Sequence, residues 1–550
     1  MHVRKLIDPV QSVGCLAVAI WALPLRPAWS HSAAQVPGVV PINVVTFHYS
    51  EARLGWNSAE TQLTPSNVGS RTFGKLWETK LDGAVPGSPL YMSGTNINGQ
   101  LHDVVYAATE CNSVYALDAT TGKILWRHAR LREPLTDAQF TGSWFGDGKH
   151  GILSTPVIDP LSGTLYTCTI AARGLRQFFE VWALDIRTGE LRGGWPVTLR
   201  AAYKGIGFAA GQVMQRGALS LIDGWVYIPF GGRWDTPPWR GWLIGVDARH
   251  PDTTQRSFCS SPFTDGAGIW SGGGVAADTA GNIYAATGNG DFDGFRGGDN
   301  LAESVVRLHT SGVFGFDRDM RDFYTPANYK FLDDEDEDLG GATVLVLPDQ
   351  PATSTPHLLF TCGKDGLAYL LNRDSLGGIG GEIQKLRLFS DPKAIYHEGI
   401  RSTSAYYDAG AKGRYIYVAG DQPGPSTRGM VCLRLGASPP GNPLHMSPVW
   451  TLKQDFNGPS SPVVSSNRES NAIVWLVETN DGEQSALRAY NALTGVELYN
   501  SNKGPGADRF TGGRRFTSPI VANGRVFVGA SGVVCYGLAH PLTTRHNAIR

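Results

Sequence analysis

Residues 103–126 read DVVYAATECNSVYALDATTGKILW: two β-type runs, a turn and a closing tryptophan. In the ALDATTG turn, Asp118 can accept backbone amides and Gly122 can take a positive φ. Trp126 then returns on the next strand with a large ring to bury. Residues 163–195 (GTLYTCTIAARGLRQFFEVWALDIRTGELRGGW) and 471–499 (NAIVWLVETNDGEQSALRAYNALTGVELY) repeat the pattern, with Asp185 and Gly189, then Asn491 and Gly495, in the turn. A small-residue–proline–apolar phrase recurs before or between such units: GSPLYM at 87–92, STPVID at 154–159, SSPVVS at 460–465 and TSPIVA at 517–522. Less regular units are WLIGVDARHPDTT, VVRLHTSGVFGF, LAYLLNRDSLGG and VCLRLGASPPGN.

A sheet of about four strands cannot cover both its faces alone, so neighbouring sheets must stack. Radial stacking closes the array, and about eight units run from residue 71 onward. The expected fold is therefore all-β, an eight-bladed β-propeller over 71–550; an array of two-sheet sandwiches is the alternative. FGKLWETKLDG, near residue 75, is expected to supply a strand that closes the ring against the last unit.

Composition agrees. The 550 residues include 68 Gly and 33 Pro, with 18% charged and 10% aromatic residues, which suits short strands and tight turns. A formal net charge of -1 and the lack of a Lys/Arg stripe argue against nucleic-acid binding. Arg4 and Lys5 precede the short apolar run SVGCLAVAIWALPL, and small residues follow it. This is an export-signal pattern over 1–34, with cleavage after Ser30 or Ala34, and 35–70 lead into the propeller. The run is too short for a comfortable membrane span. A periplasmic or secreted protein is expected. The six later cysteines are scattered, with no CxxC or CxxCH spacing, and are read as buried thiols.

The ALDATTGKILW turn resembles the tryptophan-docking motif of the quinoprotein dehydrogenases, and the likeness extends over most of the chain after the signal region. AETQLTPSNV with GKLWETKLDGAVPGSPLY is similar to that family's lead-in. NIYAATGNGDFDG and GGDNLAESVVRL are similar to its TGN and GDN segments, and VLPDQP and CGKDGLAYLLNRDSLGG to a later strand and turn. The resemblance implies an eight-bladed propeller of the quinoprotein type, binding pyrroloquinoline quinone (PQQ) and a calcium or lanthanide ion on its axis. It implies that Asn289 ligates the metal and that Asp338 is both ligand and catalytic base. Asp336, two residues earlier, would exchange roles with Asp338 on a small alignment shift. Lys364 matches the cation that touches the quinone oxygens, Trp270 the aromatic floor beneath the ring, and Arg401 more loosely the same mouth. Three departures stand out. The metal-binding glutamate is replaced by Thr169 or Gly174, the adjacent cysteine pair is absent, and Glu337 replaces the tryptophan beside the catalytic aspartate.

Six consecutive acids, 333–338, carry part of that match. Asp333, Asp334 and Glu335 are expected in a solvated loop, as charge runs usually are. Asp336, on the same side of a two-residue period as Asp338, is expected to supply the charge of the missing glutamate. Like charges so close cannot all be buried ionised without a cation or protons among them. Asp291 and Asp293 are read as hairpin-loop residues, and Trp242 as core between blades. HExxH, Walker A and GxSxG signatures are missing, and the 13 histidines do not cluster. The expectation is a PQQ-type dehydrogenase of an alcohol, polyol or sugar that passes electrons to a separate acceptor such as a cytochrome. The alternative is a non-catalytic propeller used for binding or assembly.

Overall fold

The computed structural model describes residues 42–539 apart from 71, 141–147, 234–236, 352, 390–398, 421–428, 437–443, 455, 457, 480–483 and 504–507. The expected export signal therefore lies outside the described residues. Eight sheets of four or more strands radiate about an axis. Their innermost strands are Leu90–Ile97, Val157–Asp159, Ser220–Ile222, Ala276–Ala277, Leu345–Val346, Ala405–Asp408, Val463–Asn467 and Ile520–Ala522, which number blades 1 to 8. The four less regular repeats are the third strands of blades 3 to 6: Trp242–Asp247, Val305–Leu308, Leu367–Asn372 and Met430–Gly436. Phe73–Lys80 pairs antiparallel with Gly532–Leu538 and closes the ring, as the sequence led one to expect.

Stacking buries the sheet faces. Each pair of neighbouring blades shares one apolar cluster, so the core is a ring of eight inter-blade layers rather than one central mass. Trp242 is 2% exposed in the layer between blades 2 and 3. The six cysteines after the signal region are free and buried. The repeat tryptophans dock on the following blade. Trp126 Nε1 donates to Ile186 O at 2.9 Å, and Trp77 and Trp450 donate likewise to Ala119 O and Ala492 O. Beneath Trp126, Gly189 has φ +72, and a Cβ there would come within 2.6 Å of the indole. Both the backbone and the close approach demand glycine.

The Ser/Thr–Pro phrase also has a physical role. Its hydroxyls stitch adjacent blades just before their inner strands. Ser88 N donates to Thr155 Oγ1 (2.8 Å) and Ser154 Oγ to Gln215 Oε1 (2.7 Å), and Thr343 Oγ1 donates to Ser271 Oγ (2.8 Å) at the corresponding places of blades 5 and 4, where the proline is missing. Thr403 N donates to Ser461 Oγ (2.8 Å), Ser518 Oγ to Ser461 O (2.9 Å) and Ser518 N to Ser88 Oγ (3.0 Å).

A strap at residues 44–57 ties all eight blades. Its backbone bonds Tyr91, Ile158, Ala277, Val346, Tyr406 and Val464, in the inner strands of blades 1, 2, 4, 5, 6 and 7. Tyr49 Oη accepts from Val521 N (2.7 Å) in blade 8. Arg53, fully buried, reaches blade 3. Its guanidinium donates to Ser220 Oγ (2.5 Å) and Leu219 O (3.4 Å) there, to Val275 O (2.9 Å), and to the strap's own Thr46 Oγ1 (2.7 Å) and Phe47 O (3.0 Å). His48, Tyr49 and Arg53 all have positive φ, a cost that surrounding bonds must hold in place.

Arg53→Met would strand these buried acceptors. It should lower unfolding stability by about 3 kcal/mol, read as a shift of the denaturant midpoint.

Candidate functional site

The site forms where loops preceding the inner strands meet loops following the second strands. Trp270 precedes the inner strand of blade 4, Asp338 that of blade 5 and Arg401 that of blade 6. Asn289 follows Ile283–Ala286, and Lys364 follows Leu358–Cys362. The CGKDG turn is pinned by Asp365, whose carboxylate accepts Leu367 N (3.0 Å) and Tyr369 Oη (2.9 Å). That fixes Lys364, whose own N–H donates to Asp338 O at 3.0 Å. The glycine of TGN is there because Asp338 needs its space. A Cβ on Gly288 would lie 2.0 Å from Asp338 Oδ1.

Asn289, Asp336, Asp338 and Lys364 converge. Asn289 N donates to Asp338 Oδ1 and Asn289 Nδ2 to Asp336 Oδ1, both at 2.8 Å. Lys364 Nζ donates to Asp336 Oδ1 (2.8 Å) and Asp336 O (3.0 Å) and forms an ion pair with Asp338 Oδ2. Burial alone would depress the Lys364 pKa, but the Asp338 and Asp336 charges outweigh it and raise it. Burial would likewise raise Asp336, yet Lys364 and Asn289 pull it below the usual carboxylate range. The Lys364 ammonium also stands 5.3 Å over the Trp270 ring. Arg401 adds positive charge near Lys364 and lines a cavity of about 10 Å³ with Gly399, Pro459 and Arg515.

Two expectations about the acid run change. Asp333 is not simply solvated: it lies in the last turn of the short helix Tyr329–Asp334, and its Oδ1 accepts Gly290 N at 2.6 Å. Asp336 and Asp338 do not share a strand face. Asp336 sits in a turn at φ +56, and the turn rather than a pleat brings both carboxylates to one lysine. The other sequence reading holds: Asp293 serves its loop, accepting Asn300 N (2.9 Å) and Nδ2 (2.8 Å). Among the described residues, neither position that the resemblance matched to the missing glutamate carries a carboxylate. Thr169 Oγ1 accepts Trp182 Nε1 at 3.0 Å, and Gly174 occupies a hairpin turn at φ +60.

Sequence reasoning passed over Glu303, Arg216 and Phe516. Glu303 lies inside the GDNLAES segment and is wholly buried at φ +49. Its Oε2 accepts Leu339 N at 2.7 Å, and burial followed by the Asp338 charge pushes its pKa well above the usual range. The Arg216 guanidinium lies 5.1 Å over the Trp270 ring and 4.1 Å over that of Phe516. Two acceptor oxygens, Asn289 Oδ1 and Glu303 Oε1, are shut off from water and have no hydrogen-bond partner among the described residues. Two carboxylates bridged by one ammonium, with two orphaned oxygens on neighbouring residues, suit a hard cation. An aromatic ring flanked by Lys364 and Arg216 suits a flat, anionic quinone.

Lys364→Met would leave Asp336 and Asp338 uncompensated and should cost about 3–5 kcal/mol at neutral pH. The sign of the pH dependence identifies the cause. In the wild type the lowered Asp336 pKa gives stability that is present above its unfolded value and lost as the pH falls. In the variant the crowded carboxylates should gain stability on acidification, which denaturant midpoints at pH 7 and pH 4.5 would show.

The family model of the outer membrane protein assembly factor BamB matches residues 70–199. No curated protein matches the chain. Among solved structures, a quinohemoprotein alcohol dehydrogenase from Pseudomonas putida HK5 superposes with a TM-score of 0.59 at 16% identity, covering 93% of this chain and 82% of that one. The quinohemoprotein alcohol dehydrogenase of Comamonas testosteroni gives 0.56 at 16%, over 91% and 81%. A europium-containing methanol dehydrogenase gives 0.55 at 14%, over 89% and 91%. Among the described residues no helix is long and apolar enough to cross a membrane. The chain is an eight-bladed β-propeller with the fold of the quinoprotein alcohol dehydrogenases.

Proposed function

We propose that this protein is an exported, PQQ-type dehydrogenase of an alcohol, polyol or sugar. The observation that carries the reading is the meeting of Asn289, Asp338 and Lys364 beside Trp270, with the Asn289 Oδ1 buried and without a hydrogen-bond partner among the described residues. Asn289 Oδ1 and the Asp338 and Asp336 carboxylates would hold a calcium or lanthanide ion. Trp270, Arg216 and Lys364 would hold the quinone. When bound, these groups supply a hydride acceptor and a Lewis acid that polarises it.

The chain's own residues supply the rest. Asp338 takes the substrate hydroxyl proton at a carboxylate only 4% exposed, where water is largely excluded. Asn289 N–H holds one of its oxygens, so the base is oriented before substrate arrives. Lys364 stabilises negative charge on the oxygens facing it. The chain has no CxxCH haem site, so electrons would leave to a separate acceptor, for which a cytochrome is the natural class. The basic, apolar and small-residue pattern over 1–34 supports a periplasmic or secreted location.

A second reading, a non-catalytic binding or assembly propeller, is favoured by one contact: Lys364 already bridges both aspartates without a cation.

Purified protein mixed with PQQ and calcium or lanthanum, then gel-filtered, separates the two. The dehydrogenase should retain quinone and reduce a dye with some member of an alcohol panel. Asp338→Asn should keep the quinone and lose about 100-fold or more in turnover. Retention without turnover in the wild type would favour the binding reading, and no retention would remove the quinoprotein reading.

A further inference from the structure

The Asn289–Asp338 cluster is short of one donor, because blade 2 presents Thr169, bonded to Trp182, where the resemblance implied a glutamate. Asp336 does not make up the deficit alone, since its Oδ1 is already engaged by both Lys364 and Asn289 and only its other oxygen is left to ligate. Glu303 is placed differently. It follows the second strand of blade 4 by a long loop that returns beneath Asn289, where Glu303 N donates to Gly288 O at 3.1 Å. Its Oε2 accepts the N–H of Leu339, the residue after Asp338. It lies within the field of Asp338, Lys364 and Asp333. Its Oε1 is buried with no hydrogen-bond partner among the described residues, as is Asn289 Oδ1.

A carboxyl group this deeply buried takes up a proton unless it is paired, hydrogen-bonded at both oxygens or bound to a metal. Glu303 has one oxygen accounted for, and its left-handed backbone is a conformation that a non-glycine residue keeps only under constraint. We infer that Glu303 is an additional oxygen donor to a hard divalent or trivalent cation at the Asn289–Asp338 cluster, supplied from blade 4 in place of the blade 2 glutamate. The inference rests on the proposed function and deepens it. One oxygen of Glu303 fixes the 338–339 peptide, and the other completes the donor set.

Glu303→Gln tests this, because the amide oxygen can still accept the Leu339 N–H while the anionic donor is lost. Calcium and lanthanum would be titrated calorimetrically into metal-free wild type, Glu303→Gln and Asp338→Asn, with denaturant midpoints taken in parallel. The expected result is a fall in cation affinity of roughly tenfold to a hundredfold in Glu303→Gln, with the metal-free midpoint unchanged or raised. Equal affinity in wild type and Glu303→Gln, while Asp338→Asn loses binding, would overturn the role of Glu303 and leave the proposed function standing. A wild type that binds neither cation more tightly than Asp338→Asn would overturn both.

Discussion

A ring of sheets has no central core of its own, and here its middle is held by one buried cation on a strap. Arg53 cannot leave its charge in water, so its five N–H groups must find acceptors inside the protein. It finds them in blades 3 and 4 and in the strap itself. Around it the strap's backbone and side chains bond to the remaining inner strands. The bonds oblige eight inner strands to keep fixed distances from one segment. The loops that precede those strands inherit that geometry, and the candidate site is built from them. Three positive-φ residues in the strap are tolerable only because so many partners hold them.

At the site the governing quantity is charge balance. Asp336 and Asp338 flank one lysine, with Glu303 and Asp333 close behind. Burial makes each uncompensated carboxylate expensive, so the cluster must take up a proton or a cation. Lys364 meets part of that demand and Arg401 opposes its protonation, which keeps the balance fine. The orphaned oxygens of Asn289 and Glu303 mark where further positive charge would be accommodated. The aromatic floor faces the same imbalance in reverse, with Trp270 between an ammonium and a guanidinium.

Much of this was legible in the chain. The Asp–Gly turns and closing tryptophans announced the repeat because a tight turn and a docked indole depend on local residues. Asp118, Asp185 and Asn491 bond the amides of their own turns. Asn289, Asp336, Asp338, Lys364 and Trp270 were all singled out, and the fold brings them together. Asp333 departs from the solvated-loop reading because a charge run says nothing about which amide of a neighbouring loop will face it. The strand-like reading of Asp336 and Asp338 failed for a related reason: two residues in a turn can share a partner without a two-residue period.

Sequence by itself determined the repeat unit and the closing strand, because these follow from turn stereochemistry and alternating apolarity, and a family resemblance singled out the residues that converge at the candidate site. Only the tertiary structure decided that residues 44–57 brace every blade, that the Ser/Thr–Pro hydroxyls join neighbouring sheets, and that Glu303 stands behind Asp338. Those facts depend on distances between segments up to several hundred residues apart. They are set by how twisted sheets pack around a closed ring, and no local pattern encodes them.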